Sequence, residues 1–196
     1  MSDWQQVLAF WFGDQSPPDK ARQKRWFQAS DATDQAIAAQ FKDTHTRLTQ
    51  GYPDDWPNTP HARLAAILVI DQFSRNLYRG QAQAFSWDAM AVEWAVQGLD
   101  QGQFDSLTPA EQGFAVLPLV HSESLPLHDQ ALTFLRSAQQ QDEPDGILTG
   151  FLSSAREHRD IIARFGRYPH RNAVLNRSST PEEADYLANG AKRFGQ

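Results

Sequence analysis

Residues 158–172 read HRDIIARFGRYPHRN and concentrate side chains that bind anions and transfer protons. The segment holds four arginines and two histidines. Guanidinium groups bind carboxylate or phosphate through two parallel hydrogen bonds, and imidazole exchanges protons near neutral pH. The segment therefore indicates a site for a small anion. In such a site we expect Arg167 and Arg171 to hold the anion, and His158 or His121 to act as acid or base.

The helix predicted before this segment places His158 among apolar residues. These recur at helical spacing, at Phe151, Ala155, Ile162 and Phe165. A histidine in such a stripe is more often a hydrogen-bonded core residue than a catalyst, and both interpretations stay open. Gly166 is typical of a helix end. Arg164 and Arg167 would then complement the negative end of the helix dipole without any ligand, which leaves His170, Arg171 and Asn172 unexplained.

A second cluster lies on a long helix predicted from Pro60 to about residue 79. Thr59 followed by Pro60 is typical of a helix start, and apolar residues occupy both sides of the helix. We therefore expect the helix to be central and to draw Asp71 and Arg75 into the interior as an i, i+4 ion pair. The pattern fits a structural pair and a ligand-facing pair equally.

Residues 117–124 (LPLVHSES) form a third polar segment. Pro118 must kink or end a helix here. In a regular helix His121 and Glu123 would point apart, whereas in an extended segment they would share a side. A metal site of these two residues with His158 is conceivable, but no HExxH or comparable spacing supports it. We predict no metal and no cofactor.

Composition excludes several classes of function. The formal net charge is −6, which argues against nucleic acid or an anionic membrane as partner. The chain has no cysteine, so it has neither disulfides nor thiolate metal ligands. No segment reads as a secretion signal or as a membrane span of about 18 apolar residues. We expect a cytoplasmic protein, and its oligomeric state is not indicated.

The whole chain, residues 1–196, is predicted to be one all-α domain without a sheet. Apolar residues recur at helical spacing in successive segments, and residues 108–111 (TPAE) and 180–183 (TPEE) begin two of the helices. No segment alternates apolar and polar residues between turn signals. Consecutive helices joined by short loops should pack as antiparallel pairs.

Several segments resemble the bacterial domain-of-unknown-function 924 family. They are residues 8–13 (LAFWFG), 71–80 (DQFSRNLYRG), 117–123 (LPLVHSE), 158–177 (HRDIIARFGRYPHRNAVLNR) and 179–183 (STPEE). The similarity extends to about residue 187. It implies an all-helical, right-handed array similar to tetratricopeptide-repeat proteins, and it implies no activity. Asn176 stands where many relatives have glycine, and Ser124 where an acidic residue is usual.

Two functional hypotheses follow. In the first, a polar pocket binds a small anionic ligand, a carboxylate or phosphate, with or without catalysis. Its predicted residues are Asp71, Arg75, His121, Glu123, His158, Arg164, Arg167, His170, Arg171 and Asn172. Arg171→Ala would then abolish anion binding and leave the melting temperature nearly intact.

In the second hypothesis, the helical array is a scaffold for a protein or an acidic peptide. The arginine-rich segment would then be an internal latch or a clamp for the peptide. A network of internally paired charges that binds nothing is the third possibility. The sequence leaves open whether the protein is an enzyme.

Overall fold

The protein is helical throughout the part described by the computed structural model, which comprises residues 3–13, 19–143 and 146–191. No strand occurs among those residues, so the predicted all-α fold is confirmed. The likeness to a tetratricopeptide array stays a prediction. Within the described segments, no helix has the length and apolarity that crossing a bilayer requires.

Eleven α-helices are separated by short irregular segments in the described part of the chain. The first five are α1 (Asp3–Phe12), α2 (Lys20–Phe27), α3 (Asp31–Leu48), α4 (Pro60–Leu68) and α5 (Ser74–Leu77), with a π-helical turn (Val69–Phe73) between the last two. The next four are α6 (Asp88–Asp100), α7 (Pro109–Ala115), α8 (Leu117–His121) and α9 (Leu125–Gln139). The last two are α10 (Ile147–Phe165) and α11 (Pro181–Ala188). Three 3₁₀ turns complete the list: Ala82–Phe85, Gln103–Ser106 and Pro169–Arg171.

Local sequence signals set the predicted helix boundaries. Thr59 caps α4 by accepting a hydrogen bond from the backbone of Ala62. Thr108 begins α7, and Thr180 begins α11, each in a reciprocal capping box. Gly166 follows α10 in the left-handed conformation, with φ of 69°, as expected for a helix-ending glycine.

The central helix predicted from residue 60 onward is confirmed. Residues 62–71 are all buried, and α4 packs against α1, α6 and α7. The aromatic rings of α1 extend this core: Trp11 lies 5.5 Å from Phe73 and 5.5 Å from Phe114, between ring centroids. The helix therefore buries apolar residues on both sides, and its buried charged residues are Arg63 and Asp71.

The π-helical turn places Asp71 in the middle of this central helix. A widened turn disturbs the regular backbone bonding, and side chains from α5 supply donors there. Ser74 Oγ donates to the carbonyl of Ile70 at 2.6 Å, and Arg75 Nη1 donates to the carbonyl of Asp71 at 2.7 Å. Such turns occur frequently at functional sites.

Asn176 has a backbone conformation that glycine also adopts without strain. Its φ is 53°, in the left-handed region, and its side chain is exposed. Asparagine and glycine tolerate this conformation, whereas other residues pay roughly 1–2 kcal/mol. We expect Asn176→Ala to lower the free energy of unfolding by about 1 kcal/mol and Asn176→Gly to leave it nearly unchanged. Urea denaturation measures both, and equal losses would contradict the backbone explanation.

Candidate functional site: a basic cleft

A cleft of about 250 Å³ lies between α2, the π-helical turn, α5, α8, α10 and the last 3₁₀ turn. Its ionisable lining residues, among those the structure describes, are four arginines and three histidines: Arg25, Arg75, Arg79, Arg171, His121, His158 and His170. No carboxylate lines it in that part of the chain. We call this feature the basic cleft.

Asp71 lies behind the cleft and organises its base. The Asp71 side chain is 1% exposed, and its Oδ1 lies 3.1 Å from Arg75 Nη1. His121 Nδ1 lies 2.8 Å from the same oxygen. Because an ionised carboxylate only accepts hydrogen bonds, Nδ1 of His121 carries the proton and donates it to Asp71. Nε2 is therefore the basic nitrogen of His121.

Asp88 joins two arginines of the cleft. Its Oδ1 lies 3.1 Å from Arg75 Nη1, and its Oδ2 lies 3.7 Å from Arg171 Nη1. Arg171 is also held between two rings, with its guanidinium carbon 4.7 Å from the centroid of Phe85 and 4.5 Å from that of Tyr168. The Nη1 group donates to the carbonyl of His121 at 3.0 Å.

Arg171 is less well compensated than Arg75. It is 5% exposed, and its Nε has no hydrogen-bond partner among the described residues. Burial, together with repulsion from Arg75, lowers the pKa of Arg171 to about 10. In contrast, although burial opposes it, the charges of Asp71 and Asp88 raise the pKa of Arg75 above its ordinary value.

His158 is held by its own helix. Its Nδ1 donates to the carbonyl of Ser154 at 2.7 Å, one turn earlier in α10. Burial lowers the pKa of His158 to about 3, and burial likewise lowers the pKa of His121 despite the nearby Asp71. Both imidazoles are therefore neutral at pH 7. Their ring centroids are 6.3 Å apart.

The ionised state of Asp71 follows from its partners. Burial alone would raise the pKa of this carboxyl, but the charge of Arg75 and the contact with His121 lower it below its ordinary value. Gln72, which lines the cleft, donates a further hydrogen bond to Asp71 Oδ2. Asp71 and His121 thus form a carboxylate–imidazole dyad at the base of the cleft.

The structure brings half of the predicted site residues to the cleft. Arg75, His121, His158, His170 and Arg171 line it. Asp71 supports two of them from behind. The remaining four, Glu123, Arg164, Arg167 and Asn172, are not among the residues that line the cleft.

Those four residues instead connect the C-terminal segments. Arg167 makes two hydrogen bonds to Glu183 at 2.6 and 2.7 Å, and Asn172 Nδ2 donates to the same carboxylate at 3.2 Å. Glu123 accepts two hydrogen bonds from Arg177, at 2.6 and 2.9 Å. Arg164 pairs with Glu182 at 2.9 Å on the surface. We call this set of contacts the C-terminal latch.

Sequence reasoning missed four residues of the site. Arg25 and Arg79 line the cleft, while Asp88 and Phe85 contact Arg171 behind it. Arg79 is paired with Asp34, the Nε–Oδ2 distance being 2.8 Å. Arg79 lies within the segment 71–80, but its spacing does not mark it as a site residue. Arg25, Phe85 and Asp88 belong to α2, the 3₁₀ turn Ala82–Phe85 and α6, and only tertiary packing brings them to the site.

The described residues contain no group of three or more His, Asp or Glu side chains arranged to hold a metal ion. Glu123 is engaged with Arg177, so the conceivable set of His121, Glu123 and His158 is not brought together. The chemistry that the cleft offers is hydrogen bonding by guanidinium groups and proton exchange by imidazole.

The family model described as "Bacterial protein of unknown function (DUF924)" matches residues 7–191. The chain belongs to this family. A solved structure of a protein of unknown function from Agrobacterium tumefaciens is 34% identical in sequence, with a TM-score of 0.79 over 95% of this chain and 97% of that one. No curated protein matches. The comparisons support the helical fold of this DUF924 member and name no ligand.

Proposed function

We propose that this DUF924 protein binds a small anion, a carboxylate or a phosphate, in the basic cleft. The supporting observation is that four arginines line the cleft while no carboxylate does, within the described chain. Three aspartates, Asp34, Asp71 and Asp88, pair with three of these arginines from outside the lining. Arg25 forms no ion pair with a described residue, so within the described chain one positive charge is left over at the cleft.

Arg171 is the residue that an anion would satisfy best. Buried polar groups in proteins are normally hydrogen-bonded, yet Arg171 Nε, like Arg75 Nε, has no such bond among the described residues. An incoming oxyanion at the cleft would neutralise this cation and would reverse the lowering of its pKa. A guanidinium held between two rings is already ordered, so binding would cost little side-chain entropy.

His121 gives the site its capacity for proton exchange. Asp71 fixes the tautomer with the basic nitrogen at Nε2, on a residue that lines the cleft. A neutral imidazole so oriented accepts a hydrogen bond from a hydroxyl or a protonated acid group of the ligand. His121 is accordingly the first candidate for an acid–base group, and His158 is the second.

The test uses Arg25, because burial makes Arg171 a poor probe. Removing the 5% exposed Arg171 would disturb packing, so Arg171→Ala is no longer expected to leave the melting temperature intact. Arg25 is exposed, and Lys24 is an exposed cation next to it that does not line the cleft. Arg25→Ala therefore has a matched control in Lys24→Ala.

We expect inorganic phosphate and acetate to raise the melting temperature and to bind in isothermal titration calorimetry. Arg25→Ala should weaken binding by about three- to tenfold, since an exposed charge pair contributes roughly 1 kcal/mol, whereas Lys24→Ala should leave affinity unchanged. Added salt should weaken binding to the wild type. An absence of any stabilisation by either anion, or equal losses in the two variants, would overturn the proposal.

The C-terminal latch accounts for two more arginines of the segment, and Arg159 pairs with Asp129 of α9. Arg164 and Arg167 pair with Glu182 and Glu183 of α11, which fixes that helix against the end of α10. These arginines therefore have a structural role that needs no ligand. The alternative in which the array binds an acidic peptide gains no specific support from the described surface.

A further inference from the structure

We infer that the anion bound in the basic cleft carries a flat apolar group, such as an aromatic ring, beside its charged head. The inference rests on the proposed function and names the class of ligand more narrowly: an aryl carboxylate or aryl phosphate. It is motivated by the apolar residues that line the cleft together with the buried cations.

One part of the cleft is apolar. Trp26 and Phe27 at the end of α2, together with Leu117 at the start of α8, line the same cleft as Arg75 and Arg171. A cleft that bound only a bare inorganic ion would gain nothing from such a wall, because the ion must stay hydrogen-bonded on all sides. Small-molecule sites typically combine apolar walls with a few placed polar groups.

Phe27 is the exposed member of that wall. Its relative exposure is 62%, and it is the one large hydrophobic residue so exposed in the described part of the chain. The ring is nevertheless held in place by two neighbouring rings. It stacks on Phe114, with ring centroids 6.3 Å apart and an interplanar angle of 12°, and it meets Phe151 edge-on, with ring centroids 5.9 Å apart. An apolar ring held in place at a cleft is a preformed surface for another ring.

The volume fits a ring with one charged substituent. A cleft of about 250 Å³ exceeds the space that a bare phosphate or acetate needs, given that one water molecule takes about 30 Å³ in the liquid. It lies near the lower end of the range for small-molecule sites, about 300–1,000 Å³. The cleft therefore has room for a single aromatic ring with a carboxylate or phosphate.

The charge arrangement fixes the orientation of such a ligand. The anionic head would lie toward Arg75 and Arg171, near the basic nitrogen of His121, and the ring would lie against Phe27. Arg25, adjacent to Trp26 in α2, would cover the exposed edge of the head group. This orientation makes separate predictions for the two ends of the ligand.

The experiment compares matched pairs of ligands by isothermal titration calorimetry on the full chain: phenyl phosphate with inorganic phosphate, and benzoate with acetate. In the wild type the aryl member of at least one pair should bind about three- to tenfold more tightly, which is the range expected for one aromatic contact. The pair that shows the larger gain identifies the head group as phosphate or carboxylate.

Phe27→Ala should remove that gain and leave the affinity for inorganic phosphate and acetate unchanged. Phe27→Leu, which keeps apolar area without a ring, should retain part of it, and Lys24→Ala is the control on the same helix. Because Phe27 is mostly exposed, these variants should fold normally, which the melting temperature checks.

If the bare anions bind but the aryl members bind no more tightly, or if Phe27→Ala weakens both members of a pair equally, the aryl inference is overturned and the anion site stands. If no anion binds at all, the proposed function itself fails. The two failures are thus distinguishable.

Discussion

Asp71→Asn is expected to lower the free energy of unfolding by about 3–5 kcal/mol, which is the usual cost of breaking a buried ion pair. The substitution keeps the shape of the side chain and removes its charge. It leaves Arg75 and Arg171 in the interior with Asp88 as their remaining carboxylate. Two buried guanidinium groups then share one anion, and the excess charge is what destabilises the fold.

Urea denaturation and thermal melting measure this loss, which corresponds to roughly 6–20 °C in a chain of this size. Asp34→Asn is the matched control, because Asp34 also pairs with an arginine of the cleft, Arg79, but the pair is partly exposed. It should cost about 1 kcal/mol. A loss at Asp71 no larger than that at Asp34 would show that the buried pair is not needed.

The double variant Asp71→Asn with Arg75→Gln separates charge imbalance from lost hydrogen bonds. Removing both charges leaves Asp88 facing Arg171 alone, a balanced pair. We therefore expect the double variant to be more stable than Asp71→Asn by itself, although less stable than the wild type. A double variant less stable than the single one would mean that hydrogen bonding, and not charge, dominates.

The sequence predicted the fold because its helix signals are local. Thr59, Thr108 and Thr180 begin helices by bonds within one turn, and Gly166 ends one by its backbone conformation. Such bonds are formed by residues three or four positions apart, so they can be predicted from the sequence without knowledge of the tertiary structure. The π-helical turn around Asp71 was not predicted, because it depends on how the central helix packs.

The candidate site was predictable only in part, for the same physical reason. The Asp71–Arg75 pair is an i, i+4 contact on one helix and could be inferred from its spacing. The contact of Asp71 with His121, and of Asp88 with Arg171, joins helices distant in sequence. Nothing in the order of residues indicates which carboxylate reaches which cation across the core.

The arginine-rich segment shows that sequence spacing alone does not reveal which arginine has which role. Gly166 ends α10, and the arginines on its two sides, Arg164 and Arg167, face the same helix. Arg164 and Arg167 contact the carboxylates of α11, whereas Arg171, after the turn made by Pro169, is directed inward onto Phe85. Three of the four arginines of this block are thereby divided between the C-terminal latch and the basic cleft, while Arg159 pairs with Asp129.

Acid is expected to destabilise the protein between pH 6.5 and 5, before most carboxylates titrate. His45 and His158 are buried, and burial lowers the pKa of His45 to about 4 and that of His158 to about 3. In the unfolded chain both have the ordinary value of 6.5. The unfolded state therefore binds more protons in this range, so stability is complete above pH 6.5 and falls as pH approaches the folded pKa values.

Each histidine should cost about 1.4 kcal/mol at pH 5.5, and the two together about 3 kcal/mol, a fall in melting temperature of roughly 6–12 °C. His45→Gln is the diagnostic variant, because the amide nitrogen of glutamine can replace Nε2, which bonds Ser74 Oγ at 2.8 Å. It should reduce the slope of stability against pH, since glutamine does not titrate. If the free energy of unfolding of the wild type did not change between pH 7 and pH 5, these imidazoles would be protonated in the folded protein. The assignment of a neutral imidazole as hydrogen-bond acceptor in the cleft would then lose this support.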